Sequence, residues 1–399
     1  MIVLDGVGDR PVPPRGKTPL QQAVHPGMDR FAREGACGIV DMISPGVPPG
    51  SDTSHLAILG YDPYQVYTGR GPFEAIGLGM DVKPGDIAFR CNLATVDSSM
   101  IVRDRRAGRI NSGTKELLES LSGVVIDGIE FFLKEGVEHR CALVMRGDGL
   151  SPDVSDVDPH VEGVKVHQAR ARSPAAEKTA NALNRFTLMS HETLSRHKVN
   201  ITRRENGLPE ANIILARGAG VVPHLSSLKE RTGINGLCIA GIPMVRGVCR
   251  LAGLDAPEIP GATGNKVTDI DAKVDAFLKN KGRYDFFLMN IKGTDIFGHD
   301  GDFEGKVRFI ERVDRSLERL SDQSDLILAI TGDHSTPVTV RDHTGDPLPL
   351  CIWGEGVRTD DVSRFDEYAC ARGSLGRIRG KDILPILIDL ANISEKFGA

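Results

Sequence analysis

The chain of 399 residues lacks the features that mark membrane, nucleic-acid-binding or disulfide-built proteins. No apolar run approaches the roughly 20 residues of a membrane-spanning helix. The apolar part of the N-terminal MIVLDG is too short for a secretory signal, so a cytoplasmic protein is expected. A formal net charge of −5 gives no basic footprint, which excludes nucleic acid as the expected partner. The seven cysteines are odd in number, scattered, and form no Cys-x-x-Cys. Neither a disulfide framework nor a thiolate zinc site is expected from them. Cys37 in GACGIV and Cys351 in LPLCIW read as small buried hydrophobes. Internal repeats and low-complexity tracts are also missing.

What is present is a soluble globular composition, 40% hydrophobic and 26% charged. The length suggests two domains. The runs IVLD (2–5), DFFLMNI (285–291), LILAIT (326–331) and LPLCIW (348–353) lack alternation. They read as parallel strands of a sheet covered by helices on both faces, an α/β core. IVLD is short for the centre of a large sheet, so either Met1 is an internal start or a few residues precede it. Val307, Ile310, Val313 and Leu317 fall at three- and four-residue steps and predict an amphipathic helix joining two strands over 304–320. KDILPILIDLAN predicts another helix, capped by Asp382 and with Pro385 in its first turn. The middle of the chain differs, being rich in Arg, Asp and Gly with hairpin-like RAGR and RGDG turns. It reads as a smaller α+β domain, residues 86–225, inserted into a core made of 1–85 and 226–399.

Four places carry side chains suited to chemistry. Asp5 ends the first strand, where open α/β sheets bind ligands; it is either a site carboxylate or a turn residue bonding its own backbone. Asp295 and His299, in KGTDIFGHD, are four apart and can aim at one ion, or they are a helix cap and a surface histidine. Asp333 and His334 leave a third strand together at Gly332. His343 stands just before the fourth run. In PPGSDTSHLAILGYDP, two prolines and a glycine deliver Ser51 to the head of an apolar run. With Ser51 these are seven candidate ligands of mixed oxygen and nitrogen type, suited to manganese, zinc, cobalt or magnesium. Seven exceed the needs of one ion and suit two ions about 4 Å apart, the arrangement that clamps both oxygens of an in-line phosphoryl transfer.

LDGVGDRP (4–12), GSDTSHLAILGYDP (50–63), GTDIFGHDG (293–301), TGDHSTP (331–337) and DHTGDPLPL (342–350) together resemble the cofactor-independent phosphoglycerate mutases of archaeal type, within the alkaline phosphatase superfamily. The resemblance implies an alkaline phosphatase-like core and two divalent ions, manganese foremost, without bisphosphoglycerate. It makes Ser51 the nucleophile that becomes phosphoserine, because His55 follows it at the spacing of the family's Ser-Glu-Val-Gly-His pattern. Thr53 and Ser54 are then helix-capping bystanders. One ion would be held by Asp5, Ser51, Asp333 and His334, the other by Asp295, His299 and His343. The implied substrate is a small molecule, phosphoglycerate, whose phosphate passes to Ser51 and returns to the other hydroxyl.

Water must be excluded meanwhile, so the inserted domain is expected to act as a closing lid. Its guanidinium groups are the expected donors to carboxylate and phosphate. Candidates are Arg105, Arg106 and Arg109 beside Asp104, Arg146 in MRGDG, Arg217 in ILARGAG, Arg90 and His160. Arg246, in PMVRG, stands where related sequences tend to carry lysine. Lys266 and Asp269 are open between hinge and site. Three readings are open: the mutase, a phosphomonoesterase or sugar-phosphate mutase of the same superfamily, and a non-catalytic metal- or phosphate-binding relative. Composition is silent on the oligomeric state.

Overall fold

The computed structural model describes every residue except Arg15, Ser324, Phe397 and Ala399. The chain divides into two compact units, Met1–Tyr67 with Leu225–Ala399, and Thr68–His224. The described residues form thirteen strands. In chain order they are β1 (Ile2–Leu4), β2 (Ala36–Asp41), β3 (Ile87–Val96), β4 (Val102–Asp104), β5 (Val124–Ile126), β6 (Ile129–Glu135) and β7 (Arg140–Arg146). After these come β8 (Ile213–Gly220), β9 (Gly236–Ile239), β10 (Phe286–Ile291), β11 (Leu328–Thr331), β12 (Leu348–Trp353) and β13 (Gly376–Arg379).

The first unit holds a seven-stranded sheet in the order β13-β2-β12-β11-β1-β10-β9. β1 pairs in parallel with both β10 and β11, β10 with β9, and β13 with β2. β1, β10, β11 and β12 are buried on both faces, which is why they read as unbroken apolar runs, while the edge strand β13 is largely exposed. The sheet is mainly parallel, as expected, but β12, whose run reads as a further parallel strand, pairs antiparallel with both β11 and β2. Continuous hydrophobicity reports burial, not direction, so the run could not reveal this.

The reversal fixes where the ligands gather. β1, β2, β10 and β11 share a direction, so their carboxyl ends lie on one edge and lead to Asp5, Ser51, Asp295 and Asp333 respectively. β12 begins at that same edge, so His343, which precedes it, is delivered there as well. The predicted amphipathic helix runs Phe303–Leu317 between β10 and β11 with Val307, Ile310, Val313 and Leu317 buried. The C-terminal helix spans Gly380–Leu390. It starts earlier than expected: Asp382 is its third residue, bonding back to Arg379 N at 3.0 Å, and Pro385 lies inside the helix.

The second unit is an antiparallel sheet, β4-β3-β7-β6-β5 with β8 on β3, covered by the helix Glu177–Ser195. Phe131 and Phe186 stack in its core, ring centres 4.5 Å apart. The chain passes into this unit at 67/68, ahead of the expected 85/86, because the helix Gly71–Gly77 packs Ala75 against Ala88, Ala142 and Val144. It returns at 224/225, against the expected 225/226.

Candidate active site

Ser51 is the first residue of the helix Ser51–Ile58, with Gly50 as N-cap. Its backbone N–H is thus among those that the helix cannot pair internally. Thr53 caps this end, its hydroxyl donating to Gly50 O (3.0 Å) and accepting from Gly50 N (3.2 Å). Ser54 does not cap. Its hydroxyl donates to Asp333 O at 2.7 Å, tying the helix to the turn after β11. His55 reaches back to Ser51 O through Nδ1 at 2.7 Å. Ser51 itself is buried, with Oγ 3.1 Å from His334 Nε2.

Two groups of ligand atoms surround this serine. In the first, Asp5, Asp333 and His334 each offer an atom, all lying within 4.8 Å of one another. His334 Nε2 stands 3.5 Å from Asp5 Oδ1 and 3.4 Å from Asp333 Oδ2. Asp333 Oδ1 accepts from the Gly6 and His334 amides, both at 3.0 Å. Its Oδ2 is buried with no hydrogen-bond partner. A buried carboxylate oxygen left bare costs free energy unless a cation meets it, so this atom fits a metal ligand. Gly6 is required here: its φ is +69°, and a Cβ would lie 2.6 Å from Asp295 Cα.

In the second group, Asp295, His334 and His343 satisfy the same 4.8 Å spacing. His299 adjoins it, with Nε2 3.3 Å from Asp295 Oδ1. His343 Nε2 is 3.5 Å from the same oxygen. Both imidazoles place Nδ1 against a carbonyl, His299 on Arg341 O (2.8 Å) and His343 on Pro49 O (2.9 Å). A carbonyl only accepts, so Nδ1 carries the proton and Nε2 faces inward, the orientation metal-bound histidines adopt. The two sets expected from the sequence therefore meet in space. They are less separate than supposed, since His334 belongs to both groups.

The electrostatics call for positive charge. Burial, then the nearby Asp333 charge, pushes the Asp5 carboxyl up to about 7, against the pull of Lys292. Burial foremost lowers His334 to about 3, leaving it a neutral imidazole able to donate a lone pair. Lys292 Nζ lies 2.9 Å from Asp5 Oδ1 and 2.5 Å from Asp295 Oδ2, joining the two groups. Burial opposes its charge, but Asp5 and Asp295 hold the ammonium above its usual range. Three carboxylates share this site with one lysine, a mismatch suited to divalent ions.

Sequence reasoning missed Lys292, as well as Asn290, whose Nδ2 donates to Asp5 Oδ2 at 3.1 Å. Both lie within or just after the β10 run, one position either side of Ile291, and that placement was the available signal.

In the second unit, the buried Asp158 gathers three of the expected substrate residues. Arg105 forms a fork on it (3.0 and 2.6 Å), Arg217 Nε lies at 3.6 Å, and His160 donates its amide at 3.0 Å. The His160 ring meets Arg217 Nη1 at 3.3 Å and Asp156 at 3.0 Å. Arg90 is the cross-strand partner of Arg217; burial and then Arg70 lower its guanidinium to about 9. Arg106 is exposed at the turn that Asp104 closes. Arg146 ends β7 at the far side from Arg140, about 20 Å along the strand. Its guanidinium is taken up by Asp86 at 2.7–3.2 Å. In the first unit, Arg246 is buried in the helix Pro243–Leu251 and pairs with Glu258 at 2.8 Å. Lys266 pairs with Asp300 at 2.5 Å, and Asp269 caps the helix Ile270–Asn280.

Residues 32–200 match the family model described as 2,3-bisphosphoglycerate-independent phosphoglycerate mutase. The chain is 51% identical over 407 residues to the protein of that name from Methanosphaera stadtmanae, covering 100% of this chain and 99% of that one. It is 52% identical over 406 residues to 2,3-bisphosphoglycerate-independent phosphoglycerate mutase 1 from Methanothermobacter thermautotrophicus, with coverage of 100% and 99%. A solved Pyrococcus horikoshii protein aligns with TM-score 0.86 and 39% identity over 100% of this chain and 98% of its own. The cofactor-independent phosphoglycerate mutase of Thermoplasma acidophilum aligns with TM-score 0.71 and 40% identity, covering 98% of each. At half identity across its whole length, this chain belongs to the family of 2,3-bisphosphoglycerate-independent phosphoglycerate mutases.

Proposed function

We propose that the protein interconverts 3-phosphoglycerate and 2-phosphoglycerate through a phosphoserine at Ser51. The observation that carries this reading is the 3.1 Å approach of Ser51 Oγ to His334 Nε2, the imidazole common to both ligand groups. Asp5, Ser51, Asp333 and His334 would hold one divalent ion, and Asp295, His299 and His343 the other, manganese being the first choice. When bound, such ions activate the serine oxygen and clamp the attacking and leaving oxygens of the transfer.

The chain's own groups do the rest. Ser51 Oγ attacks phosphorus as the bond to glycerate O3 breaks. The proton that the serine gives up balances the one that O3 gains. The glycerate O2 hydroxyl then attacks the phosphoserine, the P–Oγ bond breaks, and the serine regains a proton. The helix Ser51–Ile58 starts at the nucleophile, so its free amides and dipole favour the phosphate's charge there. Arg105, Arg217 and His160, held by Asp158, are the donors proposed for the glycerate carboxylate or phosphate, with Arg106 beside them. Arg146 and Arg246, already paired with Asp86 and Glu258, are weaker candidates. The second unit is proposed to retain glycerate and exclude water while Ser51 carries the phosphate.

The test supplies manganese and 3-phosphoglycerate without bisphosphoglycerate and follows phosphorus NMR. Formation of 2-phosphoglycerate is expected. Release of inorganic phosphate without the isomer would replace this reading with a phosphomonoesterase.

A further inference from the structure

One hydroxyl stands between the two ligand groups. Thr336 Oγ1 lies 3.0 Å from His334 Nδ1 and 2.9 Å from Asp295 Oδ1. We propose that Thr336 is a positioning residue that couples the two candidate ion sites, orienting His334 and Asp295 through a single O–H. This inference rests on the two-ion reading above.

The direction of the bonds follows from chemistry. An ionised carboxylate only accepts, so Thr336 donates its proton to Asp295 Oδ1. Its lone pair is then available to His334, and Nδ1 must be the protonated ring nitrogen. That choice leaves the Nε2 lone pair directed at Ser51 Oγ, Asp5 and Asp333. Here the hydroxyl takes the part that Arg341 O and Pro49 O play for His299 and His343. Unlike a carbonyl, it also spends its own proton on a member of the other group.

The threonine is built in. It is fully buried, its amide donates to Gly8 O at 3.0 Å, and its carbonyl accepts from Lys306 Nζ at 3.0 Å. Lys306, also fully buried, bonds Asp9 Oδ2 at 2.8 Å and so fixes Thr336 against the turn that follows Asp5. Backbone packs closely against both branches of the side chain. A Cβ at Gly6 would sit 2.7 Å from Thr336 Oγ1, and one at Gly298 would sit 2.8 Å from Thr336 Cγ2. Valine has the same shape without the hydroxyl, and serine keeps the hydroxyl without the methyl.

The experiment compares the full-length protein with Thr336→Val and Thr336→Ser. Manganese(II) binding to the chelator-stripped proteins is measured by calorimetry, and imidazole tautomers of the same metal-free samples by nitrogen-15 NMR. In the wild type and Thr336→Ser, two ions bind and His334 shows a single Nδ1–H tautomer. In Thr336→Val, both ions weaken by about 10–100-fold, as for other outer partners of metal ligands, and the His334 tautomer becomes mixed. The proposal is overturned if Thr336→Val binds both ions as tightly as the wild type, or if only one ion weakens. It is equally overturned if Thr336→Ser loses as much as Thr336→Val, since the methyl would then be responsible. Should the valine variant not fold, Thr336→Ala takes its place with the same expectations. A wild type that binds no manganese would remove the two-ion reading as well, and so be told apart from failure of the coupling alone.

Discussion

The Nε2 atoms of His299 and His343 converge on one oxygen, Asp295 Oδ1, from 3.3 and 3.5 Å, and the two rings lie 5.3 Å apart. Each ring is held by a carbonyl on its other nitrogen, so neither can turn away without leaving a bond unmade. Replacing either histidine by alanine is expected to reduce bound manganese from two equivalents to one at moderate metal concentration. The affinity loss should be at least about 10–100-fold. Equilibrium dialysis with metal analysis measures this directly.

Ser51→Ala removes the proposed nucleophile while leaving the N-cap Gly50 and the Thr53 bonds in place. Turnover should fall by about five or six powers of ten, the scale of losing a nucleophile, with the circular dichroism spectrum unchanged. Ser54→Ala removes only the tie to Asp333 O and should retain turnover. A Ser51→Ala protein that still isomerises would move the phosphate to another hydroxyl.

Chelation should abolish mutase activity, and manganese should restore it. If manganese binds the folded state alone, as proposed, a concentration of about 100 times its dissociation constant should add about 2.7 kcal/mol per site. Differential scanning calorimetry with and without manganese reads this as a rise in Tm. An unchanged Tm in saturating manganese would argue against either site.

Glu367 gives a pH dependence away from the site. It is partly buried, and its carboxylate oxygens accept from Asp9 N (3.2 Å) and Thr18 Oγ1 (2.8 Å). Burial raises its carboxyl from 4.5 to about 7. The folded pKa lies above the unfolded one, so folding favours the protonated form. That favourable contribution is full below pH 4.5 and is lost as the pH rises to about 7. The difference amounts to about 3 kcal/mol. Glu367→Gln should flatten the slope, making the variant the more stable protein at pH 8 and nearly level with the wild type at pH 4.5. Urea unfolding across that range is the measurement.

In the second unit, Asp158→Asn should weaken the hold on Arg105 and Arg217. Breaking one member of a buried pair costs about 3–5 kcal/mol, which thermal unfolding would register. If these guanidinium groups meet the substrate, KM for 3-phosphoglycerate should rise by about tenfold or more. Arg105→Lys, which keeps charge but loses the fork, should raise KM with little change in Tm.

Much of the site was legible because its ligands sit beside strongly apolar strands. Asp5, Asp295, Asp333 and His334 each follow a run whose burial on both faces leaves little choice of element. His343 was legible as a residue but not in its geometry, since the reversal of β12 is a matter of pairing and leaves no mark on composition. The helix Gly380–Leu390 was legible as a helix, while its start was not: proline is normally poor inside a helix, yet Pro385 is accommodated there. The arginines of the second unit were legible only as a crowd. Arg146 and Arg105 look alike in sequence, and only Asp86 and Asp158, brought across from other segments, tell their surroundings apart.

The reversal of β12 has one more effect. β11 ends and β12 begins on the same edge, so the segment between them never crosses the sheet. Within it lie Asp333, His334 and His343, drawn from the two ligand groups, together with Thr336, all on one short length of backbone. A single local opening of residues 332–347 would withdraw all four together. Release of ions held by these groups would then coincide with loss of order in this loop, and slow amide exchange here would report that the proposed sites are filled.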